Sequence, residues 1–170
     1  KKYKKVSPLS LKINSPRETG NSFYSNAKLK MNFFSQYVNY PVISDDSGLC
    51  IKALGNKPGV HSARLAKKKG GFYKAMKYLL KKLEKKSNRS ATFVCSLSYK
   101  HTSGKTIAVE GKIHGKISNK ILGTKGFGYD PIFIPNTEKI TFGQMHKIKK
   151  IKMDHRSIAF KKLKKKIKIL

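Results

Sequence analysis

The 170-residue chain sets 39 Lys plus Arg against eight Asp plus Glu, for a formal net charge of +31 and an isoelectric point near 10.3. Hydrophobic residues make up 38% and aromatic residues 10%, which supplies the core of one ordinary domain and excludes a disordered polyelectrolyte. No apolar run approaches the roughly 20 residues of a membrane span, no leader-like segment opens the sequence, and two cysteines, Cys50 and Cys95, are too few for a disulfide framework or a zinc site, so a reduced, cytoplasmic setting is expected.

In chain order, residues 22–38 place Phe23, Ala27, Met31, Phe34 and Val38 at helical spacing, with Asn21 or Ser22 available as the cap. PVIS at 41–44 and LCIKA at 49–53 read as two short strands, and the DDSG between them reads as a turn. GNKPG at 55–59 reads as a loop. Residues 72–86 put Phe72, Ala75, Met76, Leu79, Leu80 and Leu83 on one helical face. The segment 91–99 alternates as a strand does, and a turn at HTSGK joins it to TIAVEGKIHG in an antiparallel hairpin. KGFGYDP at 125–131 reads as a loop ahead of the strand IFIP, and Asp154 caps a final helix carrying Ile158, Ala159, Leu163 and Ile167. The pattern predicts a single α/β domain over 1–170, with a mixed, twisted central sheet flanked by helices.

The cations are almost all lysine; only Arg17, Arg64, Arg89 and Arg156 are arginine. Lysine clusters at 67–69, at 81–86 and in the terminal KKLKKKIKIL, but it also runs along the whole chain. Abundant Ile and Asn with scarce Ala suggest an AT-rich coding sequence in which lysine drifts onto solvated faces. No arginine-rich stripe or repeated aromatic stacking motif accompanies the clusters. The solvated-face reading is therefore favoured, and weak, non-specific binding of nucleic acid follows from the charge alone. The scarce acids are more telling. Asp45 and Asp46 are adjacent in an apolar, small-residue stretch, Asp130 sits among glycines and aromatics, and Asp154 precedes His155-Arg156.

GKT at 104–106 lacks the glycine that a phosphate loop needs five residues earlier, where Tyr99 stands. SDDSGL at 44–49 offers two carboxylates at a strand end, suited either to hold Mg²⁺ and direct a water or to form a solvated Asx-turn. KGFGYDP offers Phe127 and Tyr129 as flat surfaces for a purine, or as anchors of a loop on the core. KIKKIKMDHR at 147–156 sets cations near a helix start, as a substrate contact or as a solvated basic segment.

Together, SDDSGLCIKALGNKPGVHSARLA, KGFGYDPIFIP, TFGQM and DHRSIAFKKL, preceded by RETGNSFYSNAKLK, resemble in order and spacing the inosine triphosphate pyrophosphatase family, which hydrolyses non-canonical purine nucleoside triphosphates. The match spans about residues 17–163. It implies a two-lobed α/β fold with a cleft between the lobes, a homodimer, and Mg²⁺-dependent hydrolysis of ITP, dITP or XTP to the monophosphate and pyrophosphate. By the same resemblance Glu18 and Asp46 would hold metal, with Asp46 also the general base. Lys30, Ser47 and Arg64 would contact substrate, Phe127, Gly128, Tyr129 and Asp130 would line the base pocket, and Lys150, His155 and Arg156 would complete recognition.

Three departures stand out. Ser25 replaces the family's usual acid, and Asp154 replaces its usual serine. Nothing ahead of Glu18 matches the family's phosphate-gripping strand and loop, which leaves an unfilled position expected beside Asp45–Asp46. The alternatives are a degenerate, weakly active homologue and, from another class, a basic protein that binds nucleic acid non-specifically.

Overall fold

The computed structural model describes residues 6–167. Five strands form one sheet in the order β2-β1-β3-β4-β5: β1 Val42–Ile51, β2 Lys57–Pro58, β3 Ser90–Lys100, β4 Thr106–Ile117 and β5 Phe133–Pro135. The helices are α1 Phe23–Phe34, α2 Ser62–Lys68, α3 Phe72–Lys82, α4 Lys147–Met153 and α5 His155–Ile167. The α/β class and the flanking helices are as expected. Within the sheet every pairing among the described residues is antiparallel rather than mixed, because β3 and β4 form a hairpin and β1 and β5 each return alongside it in the opposite sense. No helix among the described residues is long and apolar enough to cross a membrane.

The largest correction concerns DDSG. It is not a turn: residues 42–51 run as one strand, in unbroken register with β3 from Val42 opposite Lys100 to Ile51 opposite Ala91. Strand alternation then sends Asp45 and Asp46 to opposite faces. Gly48 is required because a Cβ there would strike the Gly59 carbonyl and the Ser62 hydroxyl, where the 3₁₀ turn Gly59–His61 crosses the strand. On its other edge β1 is paired only at Cys50 and Ile51, with β2; no described strand lies against Val42 to Leu49.

Helix α1 begins where Ser22 caps it. The Ser22 hydroxyl accepts the Ser25 amide at 3.0 Å and Ser25 Oγ accepts the Ser22 amide at 3.1 Å, a complete capping box. The helix ends at Phe34, short of the expected Val38. Helix α3 stops at Lys82, because Lys81 and Lys82 lead into a turn. Helices α2 and α4 were not expected; each spans only seven residues.

The core falls into two clusters. The larger one gathers Leu49, Ile51, Phe93, Phe133 and Phe142 with the inner face of α2 and α3. The smaller one packs Ala159 and Leu163 of α5 on Cys95, Leu97 and Val109. Helix α5 reaches the sheet closely at Gly111, where a Cβ would run into the His155 carbonyl and the Ala159 amide. Asp154 caps that helix as expected, its Oδ1 accepting the Ser157 amide at 2.8 Å.

Candidate active site

On the α1 face of β1, Asp46 is only 7% exposed. Its Oδ2 accepts a bond from Asn26 Nδ2 at 3.1 Å, and its Oδ1 lies 3.4 Å from Lys30 Nζ. Lys30 also meets Glu18 Oε1 at 2.6 Å, so one ammonium bridges two carboxylates. Arg64 closes the group from α2, donating to the Glu18 carbonyl at 3.2 Å. Burial pushes the Asp46 carboxyl above the ordinary carboxylate range, an effect that Lys30 and Asn26 only partly offset. Burial alone would lower Lys30, but the hydrogen bond to Glu18 and the charge of Asp46 outweigh it and hold the ammonium above its usual range.

On the opposite face Asp45 binds Arg156, whose Nη2 donates to Oδ2 at 2.8 Å, and Ser47 Oγ donates to the same oxygen at 3.1 Å. Burial favours the protonated acid, but the guanidinium wins and keeps Asp45 below the carboxylate range. Arg156 also lines a cavity of about 710 Å³ between the 125–131 loop and helices α4 and α5, together with Phe127, Lys150 and Asp154. Phe127 is the flat plate of this cavity. It is 57% exposed, with Lys150 Nζ 4.5 Å and the Arg156 guanidinium 5.3 Å from its ring centroid.

The loop holds its shape through Asp130. This carboxylate, 1% exposed, accepts the Phe127 amide at 2.8 Å and ion-pairs with Lys150 at 2.8 Å. Gly126, at φ +78°, passes where any side chain would strike Asp130. Lys150 also lies 3.9 Å from Asp154. Its charge is therefore spent largely inside the loop–helix junction.

The expected residues thus divide. Glu18, Lys30, Asp46 and Arg64 come together on one face; Ser47, Phe127, Asp130, Lys150 and Arg156 come together on the other, with Gly128 in the same loop. Tyr129 and His155 do neither. Tyr129 is 2% exposed, packs edge-on to Phe72 and donates its hydroxyl to the Ser62 carbonyl at 2.9 Å, and burial pushes its phenol up to about 12. It is the core anchor of the loop rather than a face of the pocket. His155, 3% exposed, stacks on Phe93 at 4.8 Å, and its buried Nδ1 has no hydrogen-bond partner among the described residues. Burial pushes it down to about 4, so it is neutral.

Sequence reasoning missed Asn26, which is fully buried and holds both Asp46 and the Gly20 amide. An asparagine amid the apolar positions of a helix was the available signal.

Glu18 and Asp46 converge on a single cation, the Lys30 ammonium, and among the described residues no group of three or more His, Cys, Asp or Glu side chains gathers as a metal cluster.

Residues 1–166 match the model of the Ham1 family. The chain is 40% identical over 151 residues to the dITP/XTP pyrophosphatase of Caulobacter vibrioides, covering 88% of this chain and 78% of that protein. It is 40% identical over 150 residues to the dITP/XTP pyrophosphatase of Bacillus subtilis, covering 87% and 76%. The fold is similar to the Staphylococcus aureus Ham1 protein, with a TM-score of 0.86 at 34% identity over 95% of this chain and 84% of that one. A HAM1 protein from Coxiella burnetii gives a TM-score of 0.88 at 30% identity, with the same coverage. The chain belongs to the Ham1 family.

Proposed function

We propose that this chain hydrolyses non-standard purine nucleoside triphosphates, such as dITP, ITP and XTP, to the monophosphate and pyrophosphate. The observation that carries the reading is the bridged triad of Glu18, Lys30 and Asp46 beside β1, with Arg156, held by Asp45 of the same strand, lining the cavity that Phe127 walls. Two relatives at 40% identity are named dITP/XTP pyrophosphatases.

Asp46, buried and raised, is the general base. It takes the proton of the attacking water at the α-phosphorus, while Asn26 fixes which carboxylate oxygen faces the reaction. Glu18 and Asp46 would hold Mg²⁺, which supplies charge neutralisation on the polyphosphate. Lys30 and Arg64 orient the phosphates, Ser47 helps to fix Asp45 on the opposite face, and Phe127 stacks on the base. Asp130 and Lys150 hold the loop that presents Phe127, and Arg156, fixed by Asp45, borders the base edge. Acceleration then rests on position and fixed charge. The working form is a single-domain protein that pairs as a homodimer in the cytoplasm.

The test is incubation with dITP, XTP or ATP in the presence of Mg²⁺, with product analysis. Monophosphate plus pyrophosphate from dITP and XTP, with ATP turned over slowly, supports the reading. Release of diphosphate and orthophosphate would reject cleavage at the α-phosphorus, and equal use of ATP would reject the selectivity.

A further inference from the structure

Helix α3 does more than cover the core. Ala75, Met76 and Leu79 face inward, and the helical period then lays the outer residues in two parallel rows, Tyr73–Lys77–Lys81 and Lys74–Tyr78–Lys82. The tyrosines are thereby interleaved with lysines. The rings hold the cations in place: Lys77 Nζ lies 4.8 Å from the Tyr73 centroid, and Lys69, arriving from the end of α2, lies 4.0 Å from the centroid of Tyr78, with Lys82 at 5.8 Å. Tyr73 is 57% exposed and Tyr78 36%. The whole stretch 62–89 contains one acid, Glu84.

We infer that this face is a docking strip for single-stranded nucleic acid, distinct from the nucleotide site and independent of the hydrolytic reading. Lysine ammoniums held at fixed points meet backbone phosphates, and the exposed tyrosine rings offer surfaces for unpaired bases. Steps of four residues advance about 6 Å along the helix, close to the repeat of an extended strand. A lipid surface fits less well, because the outer rows present no aliphatic side chain to enter acyl chains. A duplex uses the lysines but leaves the tyrosines without a base to stack on.

The discriminating experiment separates a site from bulk charge. Fluorescence anisotropy of a labelled twelve-residue oligothymidylate is followed against salt for the wild type, for K74Q/K77Q/K81Q on α3, and for K105Q/K116Q/K120Q, which removes the same charge from the β3–β4 hairpin and the end of β4. With Lys69, Lys74, Lys77, Lys81 and Lys82 engaged, wild-type affinity falls on the order of a hundredfold between 50 and 200 mM salt. The α3 variant loses at least about tenfold in affinity at low salt, and its log–log salt slope shrinks by about two; the hairpin variant changes less than about twofold. Y73S/Y78S weakens the single strand more than a duplex of equal length. Melting temperatures within a few degrees of wild type verify that each variant is folded. Equal losses in the two lysine variants would reduce the effect to net charge and overturn the inference. So would an equal effect of the tyrosine changes on duplex, or tighter α3-dependent binding to phosphatidylserine vesicles than to the oligonucleotide.

Discussion

Asp45 and Asp46 share a peptide bond but belong to opposite faces of the sheet: Asp45 is held by Arg156 at 2.8 Å, and Asp46 by Asn26 at 3.1 Å and Lys30 at 3.4 Å. One is tied to the start of helix α5, the other to helix α1. Strand geometry rather than turn geometry therefore divides the work between two identical side chains.

Substitution separates the two roles. Asp46→Asn keeps the shape and the Asn26 contact but removes the charge, and lowers dITP turnover by about a hundredfold or more with an unchanged melting temperature. Asp45→Asn leaves the base in place and frees Arg156; its turnover loss is smaller and is accompanied by a lower melting temperature. Steady-state rates and thermal melts on the same preparations check both. Wild-type turnover in Asp46→Asn would remove that residue from the chemistry.

His155 makes stability depend on pH. Its folded pKa lies near 4 and its unfolded value near 6.5, so between these limits the unfolded chain binds more protons than the folded one. The contribution is fully present above about pH 6.5 and is lost as pH falls toward 4, by about 1.4 kcal/mol per pH unit at most. His155→Phe preserves the stack on Phe93 and removes the titration, so its melting temperature declines less steeply over that window. Urea denaturation at pH 7, 6, 5 and 4 measures the difference, and parallel profiles for the two proteins would assign the acid sensitivity elsewhere.

The 125–131 loop depends on a buried ion pair. Lys150→Met leaves Asp130, 1% exposed, without its cation, and costs about 3–5 kcal/mol. Removing the stranded charge as well, in Lys150→Met/Asp130→Asn, returns part of that stability. A double-mutant cycle in urea gives the coupling energy, and additive losses would show that the pair contributes nothing as a pair.

Gly111→Ala tests the seat of helix α5. The added methyl meets the His155 carbonyl and the Ala159 amide, so the helix must lift from β4 at a cost of about 1–3 kcal/mol. Arg156, one residue beyond His155, moves with it, and the KM for dITP rises more than kcat falls. A lower melting temperature with an unchanged KM would show that the helix shifts without disturbing the pocket.

Much of the framework was legible because it is locally encoded. Ser22 and Asp154 mark helix starts with their own side chains, and the inner stripe of α3 follows from spacing alone. The DDSG stretch misled because Asp, Ser and Gly favour turns wherever the backbone is free to choose. What overrode that preference is non-local. Arg156 neutralises Asp45 from 111 residues away, Lys30 and Asn26 hold Asp46 from the previous helix, and Gly48 admits the Gly59–His61 turn. The reading of Tyr129 as a pocket wall failed for the same reason, since its partner, the Ser62 carbonyl, lies 67 residues back. Helix α4 mixes four lysines with Ile148, Ile151 and Met153 in no stripe that a short window resolves, and its place is set by Lys150 reaching Asp130.

The internal ion pairs bear on how copies of this molecule meet. Glu18, Asp45, Asp46, Glu110, Asp130, Glu138 and Asp154 each already meet a cation of their own chain. Few negative points are left at which the lysines of another copy can land, and each copy carries a formal +31. In dilute buffer this charge therefore opposes the association of copies, the proposed homodimer included. Electrolyte cuts the reach of that repulsion to about 8 Å at physiological ionic strength. Adding salt thus has opposite effects on the two kinds of association: it brings identical molecules together while it releases polyanions.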